Sequence, residues 1–261
     1  MNILLRCFLL AGVFFCSSLW SKTIILSTIQ RPPISTIFSD GFADSVATQA
    51  FDRLGINLII QNIPAKRALV NANRGISDGD LARIEGVEKS YPNLIRVPEI
   101  IWIAEINAFS KDPSITLQHW RDLKHFSLAY IRGWVVFDNN VPKTAMINKV
   151  LLPEALFKVV ERERVQLALY EKKMGLSVIK QLAIRNVYPV NDSLLNTPIY
   201  IYLHKKHRKI VPLLTKAIKA MKQDGSYDAI MQRTLGEVLT PEELKGYKEV
   251  QNSIEEASRF K

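Results

Sequence analysis

The chain has 261 residues, and 48% of them are hydrophobic, which is enough apolar surface to bury one or two sizeable cores. Its formal net charge is +10. The positive residues are spread along the chain, apart from HKKHRK at His204–Lys209, where no aromatic residues interleave with them. We therefore predict a solvated loop at this basic run and no nucleic-acid partner.

Residues 1–21, MNILLRCFLLAGVFFCSSLWS, carry one positive charge, Arg6, near the start of an apolar run that small and polar residues follow. This layout is typical of a secretory signal peptide, and the run is too short for a comfortable membrane span. We predict a signal peptide over residues 1–21, cleaved near Ser18 or Ser21, and therefore a periplasmic protein.

Two alternatives for this segment, an uncleaved anchor and a lipoprotein, are less favoured. Lys22 and the strand-like TIILST follow the apolar run at once, and Phe14 and Phe15 stand where a lipoprotein signal needs small residues before Cys16. Both cysteines of the chain, Cys7 and Cys16, lie in this segment. The mature chain is therefore predicted to have no disulfide, no cysteine-ligated metal and no cysteine nucleophile.

Short apolar strands alternate with helical segments in the first part of the mature chain. Phe42–Leu54 has apolar residues at helical spacing and is closed by Gly55, and a second helix runs from Pro64 to Gly75. Strands are predicted at Thr23–Thr28, at Ile56–Gln61, around Asp78–Ala82 and, interrupted by Pro98, within Leu94–Lys111. This alternation indicates a mostly parallel sheet covered by helices.

A second, similar series follows. Its predicted elements are strands at Phe126–Gly133, Val165–Tyr170 and Thr197–His204, a helical region up to Val160, core helices at Pro212–Gln223 and about Ser226–Leu235, and a charged surface helix from Thr240. Leu94–Lys111 and Thr197–His204 join the two series, which predicts an α/β protein of two lobes with a hinge of paired strands. Lobe 1 is assigned to residues 22–108 and 199–261, and lobe 2 to residues 109–198.

The stretch PAKRALVNANRGISDGDLAR, from Pro64 to Arg83, has the form of one wall of a ligand cleft. Its helix begins at Pro64, whose fixed φ suits the first helical position, and stops at Gly75, which can adopt the left-handed turn that closes a helix. The next strand ends at Arg83, and ligands of open α/β sheets bind outside the carboxyl ends of the strands. Arg83 is therefore predicted to contact a ligand.

Several segments occur in the order seen in a known family. They are Pro32-Pro33 after the first strand, GFADSVATQAFDRLG at Gly41–Gly55, NANRGISDGDLA at Asn71–Ala82, YPNLIRVPEII at Tyr91–Ile101, AYIRGW at Ala129–Trp134, PEAL at Pro153–Leu156 and MKQDGSYDAIMQRTLG at Met221–Gly236. The last resembles the family's closing helix pair, and the set spans almost the whole mature chain. The chain thus resembles the bacterial extracellular solute-binding proteins of family 3, which have the type II periplasmic binding protein fold.

The resemblance implies a monomer whose two lobes close on a small polar or anionic, amino-acid-like solute and deliver it to a membrane permease or a sensor. The amino-acid-binding members place an Arg in a T-x-E-R stretch beyond the third strand, whereas Ile84–Tyr91 here reads IEGVEKSY. Arg83 is the substitute that we predict for this carboxylate clamp. Glu171 stands where members tend to place an Asp, and the acid Asp44 is shifted within GFADS. These departures leave the class of ligand open.

Nine residues are predicted to bind the ligand. Lobe 1 contributes Gln30, Arg67, Asp80 and Arg83, and lobe 2 contributes Tyr130, Arg132, Gly133, Trp134 and Glu171. The planar fork of an arginine suits bidentate binding of a carboxylate or phosphate. Gly133 ends a strand and opens a helix whose free N–H groups favour an anion. The Trp134 ring is expected to wall the pocket, and Glu171 to accept a hydrogen bond from a ligand ammonium.

These residues also have ordinary structural explanations. The alternatives are a surface salt bridge from Arg83 to Asp78 or Glu85, orientation of a neighbouring Arg by Asp80, a solvated helix face for Arg67, core packing for Trp134, and surface pairing of Glu171 with Lys172 or Lys173.

No catalytic set assembles from the sequence. His204 and His207 lie three apart without the further acid and His that a metal site needs. The G-x-S-x-G and G-x-x-x-x-G-K-[ST] motifs are absent. We predict a binding protein that is not an enzyme and that uses no metal and no cofactor. The alternatives are an exported enzyme on the same fold, dehydratase-like or lytic-transglycosylase-like, and a sensory partner protein outside transport.

Overall fold

The computed structural model describes residues 22–190 and 193–259, so the signal peptide predicted over residues 1–21 lies outside the described residues. The strands are β1 (Thr23–Thr28), β2 (Asn57–Asn62), β3 (Gly79–Arg83), β4 (Leu94–Arg96), β5 (Trp102–Ser110), β6 (Ser127–Ile131), β7 (Met146–Val150), β8 (Leu167–Glu171), β9 (Tyr188–Pro189) and β10 (Leu195–His204). The helices are α1 (Phe42–Asp52), α2 (Ala65–Asn73), α3 (Val135–Asn140), α4 (Pro153–Glu161), α5 (Lys172–Gln181), α6 (Val211–Gln223), α7 (Ser226–Leu235) and α8 (Pro241–Arg259). The predicted alternation of strands and helices is confirmed.

The strands hydrogen-bond in the order β2-β1-β3-β10-β5-β8-β6-β7, with β4 also pairing with β10 and β9 with β5. β1 is parallel to β2 and β3, and β6 is parallel to β7 and β8. β5 and β10 run antiparallel to each other, from Leu195 opposite Ile106 to Ile199 opposite Trp102. They connect the two parallel groups, since β10 also pairs with β3 and β5 with β8. The architecture is therefore two α/β lobes joined by two strands.

Each lobe has its own hydrophobic core. In lobe 1, β1, β3 and the second half of β10 pack against α1, α6 and α7, where the rings of Phe42 and Tyr227 meet edge to face at 5.4 Å. In lobe 2, apolar side chains cover both faces of β6 and β8, and the rings of Phe109 and Phe157 meet at 5.1 Å on one of them. Strands buried on both faces read as continuous apolar runs, which is why these two were visible in the sequence.

The basic run His204–Lys209 is not the plain solvated loop that the sequence predicts. Its lysines and arginine are exposed, but it forms a 3₁₀ turn, and His207 is buried with its ring Nε2 2.6 Å from Asp78 Oδ1. Lys206 Nζ lies 2.8 Å from the same oxygen. Burial acts to raise the pKa of Asp78, but the hydrogen bonds with Lys206 and His207 hold it below its ordinary value. The run thus anchors the end of β10 to the turn before β3.

The charged C-terminal helix is also more than a surface helix. α8 buries the side chains of Leu244, Tyr247 and Gln251, which recur at helical spacing on one face. The hydroxyl of Tyr247 accepts a hydrogen bond of 2.9 Å from the backbone N–H of Ile103 on β5. The many charges of the segment conceal this face in the sequence, because they occupy the other sides of the same helix. α8 therefore supports one of the two strands that join the lobes.

Gly79, at the start of β3, lies where two strands approach too closely for a side chain. A Cβ at this position would lie 2.1 Å from the backbone oxygen of Tyr202 on β10 and 2.9 Å from Leu26 Cδ2. Gly79→Ala is therefore expected to force β3 and β10 apart and to lower the free energy of unfolding, measured by urea denaturation, by about 1–3 kcal/mol.

Gly246→Ala is the matched control for this prediction. Gly246 lies within α8, and a Cβ there would meet nothing within 4 Å. Alanine has the higher helix propensity, so this variant is expected to be as stable as the parent or more stable by up to about 1 kcal/mol. If the two variants unfold at the same urea concentration, the close approach at Gly79 does not limit stability.

Candidate functional site

The carboxyl ends of parallel strands from the two lobes face each other. Arg31 follows β1 in lobe 1, and Tyr170 lies at the end of β8 in lobe 2. The Arg31 guanidinium lies near the Tyr170 hydroxyl, whose pKa its charge acts to lower, and its Nη1 donates to the backbone oxygen of Gln30 at 2.9 Å. We call the space between these two strand edges the cleft. It has the position at which open α/β sheets bind ligands.

Aromatic rings line the lobe 2 side of this contact. Tyr170 is fully buried, and burial raises the pKa of its hydroxyl above the ordinary value, although Arg31 acts to lower it. Its ring lies 4.8 Å from the ring of Trp134, which stacks on Phe137 at 5.4 Å. Trp134 is half-buried. Its ring therefore belongs to the lobe 2 core and is still accessible beside the cleft.

Arg83, at the carboxyl end of β3, forms an ion pair with Asp80 and not with Asp78 or Glu85. Its Nη2 lies 2.8 Å from Asp80 Oδ2 and donates to the backbone oxygen of Ala65 at 3.2 Å. Asp80 is completely buried, and burial raises its pKa while the charge of Arg83 opposes that shift. Asp80 thus holds the guanidinium in place, and the side chain of Arg83 keeps 14% exposure.

The other two lobe 1 candidates lie near the same edge. Gln30 is half-buried, and its backbone N–H donates to Asn62 Oδ1 at 3.3 Å, where β2 ends. Arg67 is exposed in the first turn of α2. The structure thus brings Gln30, Arg67 and Arg83 to the carboxyl edge of lobe 1, together with Arg31.

Arg132 and Gly133 are exposed between β6 and α3. The backbone N–H of Arg132 donates to the oxygen of Val150 at 2.8 Å, which holds the ends of β6 and β7 together. Gly133 has a φ of +87°, a left-handed conformation that glycine adopts without strain. The helix does not open at Gly133: α3 begins at Val135 and has six residues, so few aligned peptide dipoles contribute to a field there.

Glu171 is engaged inside the protein. Lys173 Nζ lies 2.5 Å from Glu105 Oε2 and 3.4 Å from Glu171 Oε1, and all three residues are buried. Glu171 Oε2 also accepts the backbone N–H of Met174 at 2.8 Å and so caps α5. The predicted pairing with Lys173 is present, but in the interior and not on the surface. We call Glu105, Glu171 and Lys173 the lysine cluster.

Burial and pairing act against each other in the lysine cluster. Burial raises the pKa of Glu171, and the neighbouring charge of Lys173 opposes that shift. Burial acts to lower the pKa of Lys173, but the carboxylates of Glu171 and Glu105 hold it above its ordinary value. The cluster joins β5 to the start of α5, and the ammonium also lies 4.1 Å from the ring centroid of Tyr247 on α8.

Tyr130 packs in the lobe 2 core on the sheet face opposite to Tyr170. Its hydroxyl donates to Asp138 Oδ1 at 2.9 Å, and Lys149 Nζ lies 2.6 Å from the same oxygen. These contacts connect β6, α3 and β7. The packing of the Tyr130 ring in the lobe 2 core therefore helps to fix the end of β6, next to Arg132.

A groove lies beside the cleft. It has a volume of about 940 Å³ and runs between α1 and α7 of lobe 1 and α5 of lobe 2. Lys180 Nζ donates across it to the backbone oxygen of Glu237 at 2.9 Å. Its walls include Pro32 and Pro33, next to Arg31, but none of the nine predicted residues.

Sequence reasoning missed Arg31 and Tyr170, and it placed the pairing of Lys173 with Glu171 on the surface. Arg31 and Tyr170 are the immediate neighbours of the predicted Gln30 and Glu171, and successive residues of an extended segment point in opposite directions. A prediction that is wrong by one residue therefore names the side chain that points away from the cleft instead of the one that faces it. The burial of Lys173 gives no signal in the sequence, because its second partner, Glu105, lies on a different strand.

Neither a metal site nor a membrane span emerges from the part of the chain that the structure describes. Over residues 22–190 and 193–259, no group of three or more His, Cys, Asp or Glu side chains could hold a metal ion. Within the same residues, no helix is long and apolar enough to cross a membrane.

Comparison with known proteins establishes the fold. No protein-family model matches the chain. An uncharacterized protein of Shewanella oneidensis is 25% identical over 247 residues, covering 86% of this chain and 92% of that protein. A histidine kinase sensor domain with similarity to periplasmic binding proteins has a TM-score of 0.67 at 14% identity, covering 83% of this chain and 97% of its own.

A third protein with a similar structure is the substrate-binding protein of an amino acid ABC transporter from Streptococcus pneumoniae, solved with bound L-arginine. It has a TM-score of 0.65 at 11% identity, covering 82% of this chain and 94% of its own. At these identities the likeness concerns the fold alone. The predicted two-lobed periplasmic binding protein fold is confirmed, while the resemblance to family 3 stays a prediction.

Proposed function

We propose that this chain is an exported, periplasmic solute-binding protein whose two lobes close on a small polar or anionic, amino-acid-like solute. The proximity of Arg31 to Tyr170 carries the proposal, because it brings the strand ends of the two lobes together where α/β proteins bind ligands. A relative of the same fold binds L-arginine. A ligand that touches both lobes binds the closed state better and so increases its population.

Arg83 is the proposed carboxylate-binding residue of lobe 1, oriented by the buried carboxylate of Asp80. Arg31 and Arg67 add positive charge on the same edge, and Gln30 adds a polar side chain. On lobe 2, Arg132, the backbone at Gly133 and the ring of Trp134 are proposed to contact the solute. Tyr130 and Glu171 are proposed to act through the packing and capping that fix these strand ends.

The proposed lobes are residues 22–108 with 199–261, and residues 109–198, after a signal peptide at 1–21. The buried residues of the lobe 1 core fall at 24–104 and 199–247, and those of the lobe 2 cores at 106–190, which supports this division. We propose that the protein acts as a monomer and delivers its solute to a membrane permease, as binding proteins of ABC transporters do.

A sensory role is the second candidate function. It is favoured by the likeness to a histidine kinase sensor domain. In that role the cleft still binds a solute, but a membrane receptor recognises the closed form. Pull-down from a membrane fraction with and without solute separates the two roles: capture of a permease supports transport, and capture of a receptor supports sensing.

Isothermal titration calorimetry against L-amino acids, small carboxylates and short peptides tests the proposed binding. We expect saturable binding of at least one of them, and we expect Arg83→Ala to weaken it by about 10- to 100-fold, the cost of a lost charged hydrogen bond. Lys248→Ala is the control, because Lys248 pairs with Asp228 on the outer side of lobe 1. Absence of binding across the panel would contradict the proposed function.

A further inference from the structure

Three large apolar side chains are exposed at the carboxyl edge of lobe 2. The exposed fractions are 65% for Val135, 70% for Leu151 and 61% for Leu152. β6 and β7 are parallel and end together, with Ile131 opposite Val150. The segments that carry the three side chains therefore leave the sheet side by side, at the same edge.

This surface lies on the edge of lobe 2 that faces lobe 1. β6 lies between β7 and β8 in the sheet, and all three strands run in the same direction. Tyr170, the residue before the last one of β8, lies near Arg31 of lobe 1. Trp134, half-buried, directly precedes Val135. We call Trp134, Val135, Leu151 and Leu152 the apolar rim of the cleft.

The charged groups beside the apolar rim are mainly cationic. The carboxylates of Asp80 and Glu171 are already paired, with Arg83 and Lys173 respectively. Glu154, in the first turn of α4, is the further acid near Tyr170. Against it stand the guanidinium groups of Arg31, Arg67 and Arg132, whereas the charge of Arg83 is balanced by Asp80. The cleft thus offers a positive field next to exposed hydrocarbon.

We infer that the solute is a small organic anion with an apolar body, whose carboxylate lies towards the arginines and whose hydrocarbon part covers the apolar rim. The inference rests on the proposed function and deepens it by naming the class of solute. A purely polar solute leaves the rim in contact with water, whereas an apolar body removes that surface from water at a gain proportional to its area. The positive field selects a negative head group.

Calorimetry with straight-chain carboxylates from acetate to octanoate tests this inference, with L-glutamate and L-arginine as polar comparators. We expect affinity to increase by about fourfold per added methylene until the rim is covered. Leu151→Ser combined with Leu152→Ser is expected to flatten this dependence on chain length. Met146→Ser is the matched control, because Met146 is 68% exposed at the opposite end of β7 and so lies away from the cleft.

The possible results distinguish a wrong class of solute from a wrong proposed function. Binding that is equally strong for acetate and octanoate overturns the inference. An unchanged dependence of affinity on chain length in the double variant also overturns it, because the solute then does not cover the apolar rim. If only the polar comparators bind, the inference fails and the proposed function stands. If no compound of either kind binds, both fail.

Discussion

Lys173→Met is expected to lower the free energy of unfolding by about 3–5 kcal/mol at neutral pH, since it leaves two buried carboxylates without their cation. Lys173 is fully buried and makes close contacts with Glu105 and Glu171. Its Nζ also donates to the backbone oxygen of Ile103 at 3.2 Å. Methionine has a similar length but cannot donate to any of these oxygens, so the loss exceeds that of an ordinary surface ion pair.

Lys172→Met is the matched control for this variant, and guanidinium denaturation is the measurement. Lys172 is the preceding residue, and its side chain is 20% exposed, with its Nζ 3.4 Å from Glu243. Pairs of this kind contribute about 0–1 kcal/mol. If Lys173→Met is no more destabilising than Lys172→Met, the buried ammonium does not hold the lysine cluster together.

The pH dependence of the Lys173→Met variant provides a second readout. Lys173 is the charge that opposes the raised pKa of Glu171, so its removal raises that pKa further. A carboxyl with a raised pKa in the folded state stabilises the fold at low pH and loses that contribution as the pH rises through the raised pKa. The deficit of the variant relative to the parent is therefore expected to be larger at about pH 8 than at about pH 5.

Arg83→Ala is expected to lower the free energy of unfolding by about 3–5 kcal/mol, because Asp80 is completely buried and loses its counter-ion. Glu85→Ala is the control: it breaks the ion pair of Arg96 with a carboxylate that is 64% exposed, which is expected to cost no more than about 1 kcal/mol. Urea denaturation of both variants under the same conditions measures the difference.

A double-mutant cycle resolves what Arg83 does. When Arg83→Ala and Asp80→Ala are combined, the buried charge is absent, so the double variant is expected to be more stable than Arg83→Ala alone. Solute affinity, in contrast, is expected to remain low in the double variant, because the cation is missing. A small loss of stability in Arg83→Ala would show that the ion pair with Asp80 adds little to the fold.

Each lobe has a buried ion pair that fixes its edge of the cleft in the proposed mechanism. Asp80 fixes Arg83 at the edge of lobe 1, and Glu171, within the lysine cluster, caps the helix that follows the edge of lobe 2. Groups that are held rigidly lose little conformational entropy when a ligand binds them. The lysine cluster also includes β5, one of the two strands that join the lobes, and its ammonium contacts Tyr247.

Much of the fold was readable in the sequence because it depends on local patterns. The predicted strand at Thr23–Thr28 coincides with β1, and the predicted ends of the last two core helices lie at Gln223 and Leu235, as observed. Gly75 ends its helix with a φ of +75°, as the left-handed turn requires. These features need only residues close together in the chain, since hydrophobic periodicity and backbone preferences act over a few positions.

The partners of charged residues were decided by the tertiary structure. Arg83 pairs with Asp80 instead of Asp78, because Asp78 precedes β3 and Arg83 is at its other end. Asp78 is bound instead by Lys206 and His207 from the turn after β10. That turn reaches Asp78 only because β10 returns beside β3. The position of His207 in HKKHRK gives no hint of its burial, since the residue that binds it is 129 positions away.

The sequence by itself determined the alternation of elements, the two-lobed class and the strand ends at which a solute is proposed to bind. Only the tertiary structure decided which side chain at each end is present at the cleft, bringing Arg31 and Tyr170 together where Gln30 and Glu171 were predicted. The reason is physical. Periodicity is a property of one segment, but the contact between two strand ends depends on the register of both strands and on the hinge pair β5 and β10 that sets one lobe against the other.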